Sequence, residues 1–302
     1  MTVYSDNQIP VGGLFEEERS ADIVNARISD QANPRLREVM AVLTRHLHAA
    51  IKEIEPSHDE WLRAIEFLTR TGQMCTDWRQ EYILLSDVLG ATMLVDAINH
   101  RRPKGATPNT ILGPFYVADA PRYENGANIC LDGKGEPTLV SGRVLDTQGN
   151  PIAGATLDIW QTNDDGFYDV QQKGVQPDYN LRGLFTSDAD GFYAFRTVKP
   201  RHYPIPADGP VGQLLGELLG ELGRHPHRAA HLHFIVTAPG FDQVITHIFT
   251  PDCPYLHEDT VFGVKKELIA EFTRQTDQAT ARRYDLQVPF LAVNWDFVLS
   301  PA

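Results

Sequence analysis

A chain of 302 residues with 42% hydrophobic side chains can bury a sizeable core in one large or two moderate domains. Its net charge of -13, without a basic stripe, argues against a nucleic-acid partner, and no stretch approaches the ~20 apolar residues of a membrane span. The N-terminus lacks the features of a secretory signal, and Cys75, Cys130 and Cys253 are too scattered for a disulfide framework, so we predict a cytoplasmic protein.

Residues 18 to about 100 have the periodicity of helices. Apolar side chains recur at three- and four-residue spacing from Leu36 to Ile51 and form one stripe along a long helix. Ser57 and Glu60 fit a capping box that opens a second helix. The run Asp77–Asn99 is apolar around much of its circumference, which predicts the central helix of this half.

After Arg101–Gly105 the period changes to the alternation that is typical of β-strands. Strands are predicted around residues 140–144 and 155–159, and at Phe192–Phe195, His231–Thr237 and Val244–Phe249. Short strands with frequent turns favour an antiparallel sandwich over parallel βαβ units.

A late helix or helical turn is predicted at Val264–Gln275. The predicted fold class is therefore α+β. An N-terminal helical domain is predicted at residues 1–105, and a C-terminal antiparallel β-sandwich is predicted at residues 106–302.

His231 and His233 are the strongest candidates for metal ligands. On a strand, residues i and i+2 point to the same face, about 7 Å apart at Cα, so this pair can direct two imidazoles at one ion. Upstream, Tyr168 and Tyr203 lie in segments marked by glycine and proline. Two phenolates and two imidazoles form a hard, anionic ligand set that suits Fe(III). Taken singly, each tyrosine is more typical of a packing residue, and each histidine of a hydrogen-bonded core residue.

Eight motifs extend the pattern over roughly residues 35–265. They are Leu112–Tyr116, Leu157–Gln161, Gly166–Tyr168, Asn180–Gly183, Gly191–Tyr193, Ile205–Pro210, Gly223–His225 and Arg228–His233. In this order they resemble the intradiol ring-cleavage dioxygenases, which are non-haem Fe(III) enzymes of aromatic catabolism. The resemblance implies one Fe(III) per subunit, with Tyr168 and His233 as equatorial ligands and Tyr203 and His231 as axial ligands.

The resemblance also implies catalytic roles for Tyr203 and Arg228. Tyr203 is the phenolate expected to leave the iron when substrate chelates it, and Arg228 is expected to stabilise negative charge on the substrate ring. Arginine suits this role because it stays charged while buried and offers several donors. The family usually has Arg-Pro-Ala-His, whereas this chain has Ala229 at the second position, which removes a constraint on φ but no chemical group.

The helical N-terminal half is similar to the family branch that forms homodimers through N-terminal helices, often around a bound phospholipid. The resemblance therefore implies that residues 1–105 are a dimerisation and linker domain, and that the iron site lies in the β-sandwich. The stripe from Leu36 to Ile51 is the candidate interface. An ordinary core within one chain is an equally good interpretation of this stripe.

The resemblance places the substrate, an aromatic diol or triol that reacts with O2, beside the central N-terminal helix and the residues after Tyr203. The expected substrate contacts are Leu84, Asp87, Ile111, Leu112, Gly113, Pro114, Phe115, Ile205, Pro206, Arg228, His247 and Val261. Asp87 shares a helix face with Leu84, and its carboxylate can accept a hydrogen bond from a third ring hydroxyl, which catechol lacks. His247 stands where catechol-cleaving relatives usually have glutamine.

These features favour hydroxyquinol (1,2,4-trihydroxybenzene) as the substrate, cleaved to 3-hydroxy-cis,cis-muconate, which tautomerises to maleylacetate. Catechol or chlorocatechol, cleaved to cis,cis-muconates, is the alternative, and Asp87 is then a capping or solvent-facing residue. A third interpretation comes from the hairpin Val140–Ala155, which is also typical of transthyretin-like binding modules. On that interpretation the chain binds no metal and catalyses no reaction.

Overall fold

The structure is a computed structural model that describes residues 12–76, 79–216 and 223–302. The chain divides into two compact units, the first ending at Thr69 and the second beginning at Arg70. The predicted domain boundary after residue 105 stays a prediction. Within the described ranges, no helix is both long enough and apolar enough to cross a membrane.

Helices account for the regular structure of the first unit. They are α1 (Ser20–Asn25), α2 (Pro34–Ile54) and the first part of α3 (His58–Gln73). The side chain of Asn33 caps α2 by accepting hydrogen bonds from two amides of the first turn. The predicted capping box is confirmed at α3, where the Ser57 amide donates to the Glu60 carboxylate at 2.8 Å and the Glu60 amide donates to the Ser57 hydroxyl at 3.3 Å.

The apolar stripe of α2 is exposed. No residue of α2 is buried, and the Leu36, Leu43 and Leu47 side chains are 57%, 55% and 55% exposed. An apolar helix face of this length is normally covered. The stripe is therefore not part of a core formed by the described residues.

The prediction of one continuous helix at Asp77–Asn99 is wrong. The structure has two helices here, α4 (Glu81–Val88) and α5 (Ala91–Asn99). Between them Gly90 has a φ of 72°, in the left-handed region that glycine adopts without steric cost and that ends helices. The apolar pattern continues across the break, so periodicity alone does not reveal it. Residues 77 and 78 lie outside the described residues.

The second unit is built around a β-sandwich, as predicted. Its strands are β1 (Pro137–Asp146), β2 (Thr156–Gln161), β3 (Arg182–Thr186), β4 (Phe192–Val198), β5 (Tyr203–Pro204), β6 (His227–Arg228), β7 (His231–Thr237), β8 (Val244–Phe249), β9 (Thr273–Gln275), β10 (Phe290–Asn294) and β11 (Phe297–Leu299). The unit also contains helices α6 (Pro210–Gly216) and α7 (Gln278–Arg283). Each strand predicted from alternation is present, and β7 and β8 have the predicted bounds.

Two sheets form the sandwich. One has the order β3-β2-β7-β8 and is antiparallel throughout. The other has the order β11-β1-β10-β9, with β4 also paired to β1. Strand β1 is antiparallel to β4 but parallel to β10 and β11, which alternation within single strands does not predict. Alternate side chains of the two sheets, among them Val140, Leu157 and Phe234, fill a common core.

Of the late helix or helical turn predicted at Val264–Gln275, only the helical turn is present. The segment contains a 3-10 turn at Lys266–Leu268 and then β9, which pairs with β10. The amide of Ala270 donates to the carbonyl of Phe249 at the end of β8. Pairing with the sheets therefore replaces the helical hydrogen bonds in this segment.

Candidate metal centre

Strand β7 presents His231 and His233 on one face of its sheet. The alternate residues Leu232 and Phe234 point into the sandwich core. The two-residue period of the strand thus separates the core from the site. Both imidazoles are 2% exposed, so the site is shielded from bulk water.

The four predicted ligands converge at one point. Tyr168 precedes a 3-10 turn, Tyr203 lies on β5, and both side chains are buried. The hydroxyl oxygen of Tyr168 is 2.8 Å from Nε2 of His233 and 3.1 Å from the hydroxyl oxygen of Tyr203. Nε2 of His231 is 3.0 Å from Nε2 of His233. The fold therefore brings two oxygens and two nitrogens together, and their role as metal ligands stays a prediction.

Both histidines of β7 are neutral. Nδ1 of His231 is 2.5 Å from the carbonyl oxygen of Ala229, which only accepts, so Nδ1 carries the proton and Nε2 keeps a lone pair. Burial, with a smaller effect of Arg228, lowers the pKa of His231 to about 3. Burial also lowers the pKa of His233 well below its usual value. Neutral imidazoles are the form that binds metal ions.

Burial acts in the opposite sense on the tyrosines. It raises the pKa of Tyr168 well above its usual value and also raises the pKa of Tyr203, while the charge of Arg228 opposes both shifts. A bound trivalent ion would reverse the rise, because metal ions deprotonate the ligands that they bind.

A second group of potential ligands includes His247. One ligand nitrogen each of His231, His233 and His247 lie within 4.8 Å of one another. However, Nε2 of His247 is 2.8 Å from Nδ1 of His233, the ring nitrogen opposite the one that faces the tyrosines. Because one imidazole cannot direct both nitrogens at one ion, the set with Tyr168 and Tyr203 is the better centre. Its hard oxygens and neutral nitrogens fit non-haem iron.

The ring of His233 is held on three sides. Trp160 on β2 and His247 on β8 lie directly opposite it in the sheet register. Trp160 stacks at 4.5 Å with 12° between the ring planes, and His247 meets the ring at 4.2 Å and 90°. Gly113 approaches from a third direction, where an added Cβ would lie 3.2 Å from Cε1 of His233. Sheet register therefore fixes the orientation of this candidate ligand.

Arg228 is enclosed beside the tyrosines, at 3% exposure, and forms an ion pair with Asp259. Although burial lowers the pKa of Arg228, the Asp259 carboxylate raises it overall, so the guanidinium stays charged. The amide of Ala229 also donates to Asp259, at 2.9 Å. A proline at position 229 has no N–H and could not make this bond. The departure from the family motif therefore adds a donor next to the arginine.

Apart from Arg228 on β6 and His247 on β8, the predicted substrate contacts lie on four segments of the second unit. Leu84 and Asp87 are on α4, Ile111 to Phe115 form a loop before the sandwich, Ile205 and Pro206 follow β5, and Val261 lies in the loop after Asp259. Phe115 stacks on Tyr168 with ring centroids 4.6 Å apart. Burial raises the pKa of Asp87, while a hydrogen bond with Thr92 and the charge of Arg228 oppose the rise. The substrate contacts themselves, including that of His247, stay predictions.

Three residues beside the site escaped prediction. They are Trp160, Asp259 and Asp169, the last of which follows Tyr168 and forms a 2.6 Å ion pair with buried Arg182. Trp160 lies in one of the family motifs, but its contact with His233 follows only from strand register. Asp259 is 31 residues from Arg228, and no local pattern connects the two.

Two family models match this chain, "Dioxygenase" over residues 111–301 and "Catechol dioxygenase N terminus" over residues 33–107. The chain belongs to the intradiol ring-cleavage dioxygenase family. It is 60% identical to the hydroxyquinol 1,2-dioxygenase of Rhizobium sp. (strain MTP-10005), over 95% of this chain and 97% of the relative. It is 40% identical to the catechol 1,2-dioxygenase of Candida albicans (strain SC5314), over 83% of this chain and 82% of the relative.

A solved structure agrees with this assignment. The crystal structure of hydroxyquinol 1,2-dioxygenase from Pseudomonas putida DLL-E4 matches this dioxygenase with a TM-score of 0.88 and 45% identity, over 95% of this chain and 99% of that chain. The predicted family and fold class are thus confirmed. The interpretation as a metal-free transthyretin-like module is not supported, because the chain is a dioxygenase of a family that uses non-haem iron.

His247 offers a test of the site through metal retention. If Nε2 of His233 binds iron, its Nδ1 must carry the proton, which Nε2 of His247, 2.8 Å away, would accept. We expect His247→Leu to lower iron affinity about 10–100-fold, the usual cost of losing such a partner. His247→Gln, which keeps an acceptor, should retain iron.

Iron content after dialysis against a graded chelator series measures this effect, with circular dichroism as a check of folding. Equal retention by the leucine and glutamine variants would show that the hydrogen bond does not support the metal site.

Proposed function

We propose that this dioxygenase cleaves hydroxyquinol with O2 between its two adjacent hydroxyl-bearing carbons, giving 3-hydroxy-cis,cis-muconate and its tautomer maleylacetate. The observation that carries this choice of substrate is Asp87, which is 7% exposed and whose Oδ1 has no hydrogen-bond partner among the described residues. A buried unpaired acceptor costs about 1–3 kcal/mol unless a ligand pairs with it. The third ring hydroxyl of hydroxyquinol is such a donor, and catechol lacks it.

Tyr168, Tyr203, His231 and His233 would hold one Fe(III) ion per subunit. The phenolates match the preference of high-valent iron for hard anionic oxygens, and the imidazoles are neutral. When bound, the ion provides a chelation point for the two adjacent substrate oxygens and allows the electron exchange with O2. We assign Tyr203 as the ligand that would dissociate as the substrate binds, and its phenolate oxygen would take up a proton that a substrate hydroxyl gives up.

Other side chains would position the substrate and balance its charge. Arg228 stays protonated and keeps Nη2 without a hydrogen-bond partner in the described chain, so it can stabilise negative charge on the ring. Phe115 covers one face of Tyr168, which limits the access of water to the ligands. Asp87 would fix the ring orientation through the third hydroxyl.

The iron assignment is tested by Tyr203→Phe. Loss of a residue that hydrogen-bonds to a metal ligand typically reduces activity ~10–100-fold. Removal of one phenolate, which is itself a proposed ligand, should reduce turnover by more than this. It should also change the visible absorption that tyrosinate gives on binding Fe(III). Tyr193→Phe is the matched control, because Tyr193 is fully buried and donates instead to the backbone carbonyl of Trp295.

Iron content, the visible spectrum and oxygen uptake are measured on both tyrosine variants. Full turnover with an unchanged spectrum in Tyr203→Phe would remove Tyr203 from the ligand set.

The substrate assignment is tested by Asp87→Leu. We expect the ratio of kcat/KM for hydroxyquinol to that for catechol to fall about 10–100-fold, because leucine cannot accept a hydrogen bond from the third hydroxyl. Oxygen uptake on both substrates, corrected for autoxidation, measures the ratio. Catechol turnover by the same variant is the internal control. An unchanged ratio, or a wild-type preference for catechol, would make Asp87 a structural residue and favour the catechol alternative.

We further propose that two copies of the chain associate through the first unit, with a phospholipid between them. The support is the exposed stripe of α2, which includes Leu36, Leu43 and Leu47. Covering such a face removes apolar surface from water at about 25 cal/mol per Å2. A lipid acyl chain and a second copy of the stripe are both apolar enough to cover it.

The cytoplasmic location stays a prediction that rests on three free cysteines.

The double variant Leu43→Glu/Leu47→Glu should shift the protein from dimer to monomer. Two carboxylates on the stripe would have to be desolvated in the interface, which costs several kcal/mol. Light scattering after size-exclusion chromatography measures the mass, and mass spectrometry of an organic extract detects lipid. Arg45→Glu, two residues from Leu43 and so on the other side of the helix, should remain dimeric. A monomeric wild type would exclude the proposed interface.

A further inference from the structure

Asp259 is a buried carboxylate beside the site that accepts three hydrogen bonds. Its Oδ1 accepts from Nε of Arg228 and from the amide of Ala229, both at 2.9 Å. Its Oδ2 accepts from the amide of Gly263 at 2.8 Å. The residue is 5% exposed. Three donors therefore hold this carboxylate in one orientation in a place with little access to water.

The ion pair engages Arg228 through Nε, which donates to Oδ1 of Asp259. Nη2 has no hydrogen-bond partner among the described residues. Arg228 lies directly opposite Tyr203 in the register of β5 and β6, so the two side chains lie on the same face of this pair of strands. Asp259 can thus orient the guanidinium beside Tyr203 without occupying all of its donors.

Gly263 makes room for this arrangement. A Cβ at this position would lie 3.2 Å from Nη2 of Arg228 and 3.2 Å from Oδ2 of Asp259, closer than ordinary contact. The loop that carries Gly263 closes back on Asp259, because the amide of Phe262 donates to the carbonyl of Asp259 at 2.9 Å. Phe262 has a φ of 60°, which is unusual for a residue with a large side chain. The loop therefore keeps a strained conformation around the ion pair.

We propose that Asp259 is a positioning residue, which with Gly263 fixes the guanidinium of Arg228 so that its outer nitrogens face the reacting ring. This inference rests on the proposed function, in which Arg228 stabilises charge on the substrate. A buried arginine without a partner can populate several rotamers, and an ion pair through Nε restricts it to one of them. Orienting the charge before the reaction means that no reorganisation is needed when negative charge develops.

Asp259→Asn tests the inference while preserving the size of the side chain. The new amide group would face the Gly263 amide as a second donor, so the orientation of the side chain and its charge are both lost. We expect kcat on hydroxyquinol to fall about 10–100-fold with a KM change below about threefold, because Arg228 acts on charge that develops during the reaction. The visible tyrosinate absorption should shift, since Arg228 moves relative to Tyr203.

Asp96→Asn is the matched control. Asp96 is 9% exposed and pairs with Lys265 and His100, and no hydrogen bond or ion pair connects it with Arg228. The same substitution there removes a buried charge of the second unit without touching the site. We expect a similar loss of thermal stability in the two variants, but an unchanged spectrum and kcat within about twofold of wild type for the control.

Gly263→Ala provides a second variant that retains both charges. Its methyl group must displace Arg228 or Asp259 by a few tenths of an ångström, so kcat should fall in the same direction as in Asp259→Asn. If Asp259→Asn does not fold, this variant decides. Kinetic loss without a loss of iron supports positioning, and full retention of kcat and spectrum in Gly263→Ala contradicts it.

A double-mutant cycle with Arg228→Gln separates the inference from the proposed function. If Asp259 acts through Arg228, Asp259→Asn adds no further loss of kcat in the Arg228→Gln background. Losses that multiply would show that Asp259 acts independently and would overturn the inference. If Arg228→Gln alone retains full turnover, Asp259 has no catalytic group to position, and the role proposed for Arg228 fails with it. Absence of turnover by wild-type enzyme would instead refute the proposed substrate.

Discussion

The register among β2, β7 and β8 is the constraint on which the site depends. Pairing in this sheet places Trp160, His233 and His247 side by side on one face. Because the side-chain period of a strand is two, a slip of one residue would turn both β7 histidines into the core and Leu232 out of it. The apolar contacts that stabilise the sandwich therefore also hold the candidate ligands in place, and the centre is built on rigid strands.

Burial of the site determines the protonation states of its groups. Desolvation keeps the histidines neutral and the tyrosines protonated, while the charges of Arg228 and Asp259 offset each other. If the site holds a trivalent ion with two phenolates, as proposed above, one net positive charge remains. An unbalanced charge is costly in a medium of low polarity. A diol that binds as an anion would then balance this charge, and the proposed dissociation of Tyr203 would let the site adjust its charge as substrate binds.

Much of this arrangement could be predicted from local patterns. Alternation located the strands, and the His-x-His spacing on β7 placed two candidate ligands on one face. Family motifs supplied Tyr168 and Tyr203, which spacing alone cannot relate to His231. The break at Gly90 was missed because the apolar pattern continues on both sides of it, and the parallel partners of β1 depend on strands about 150 residues away. Trp160 and Asp259 required register and loop geometry, which a single sequence does not contain.

Ala229 shows how a departure that looks minor in the sequence acquires a role in the structure. As a replacement for proline it only frees φ and restores an N–H. In the fold, that N–H is one of three donors to Asp259. Ala229 lies two residues before the strand that carries both histidines. A carboxylate with more donors is held more firmly, and so is the guanidinium that it binds. Protein groups in such a site act mainly by position and charge. The hydrogen bond from the Ala229 amide to Asp259 therefore contributes to the site through Arg228, although it does not touch the substrate.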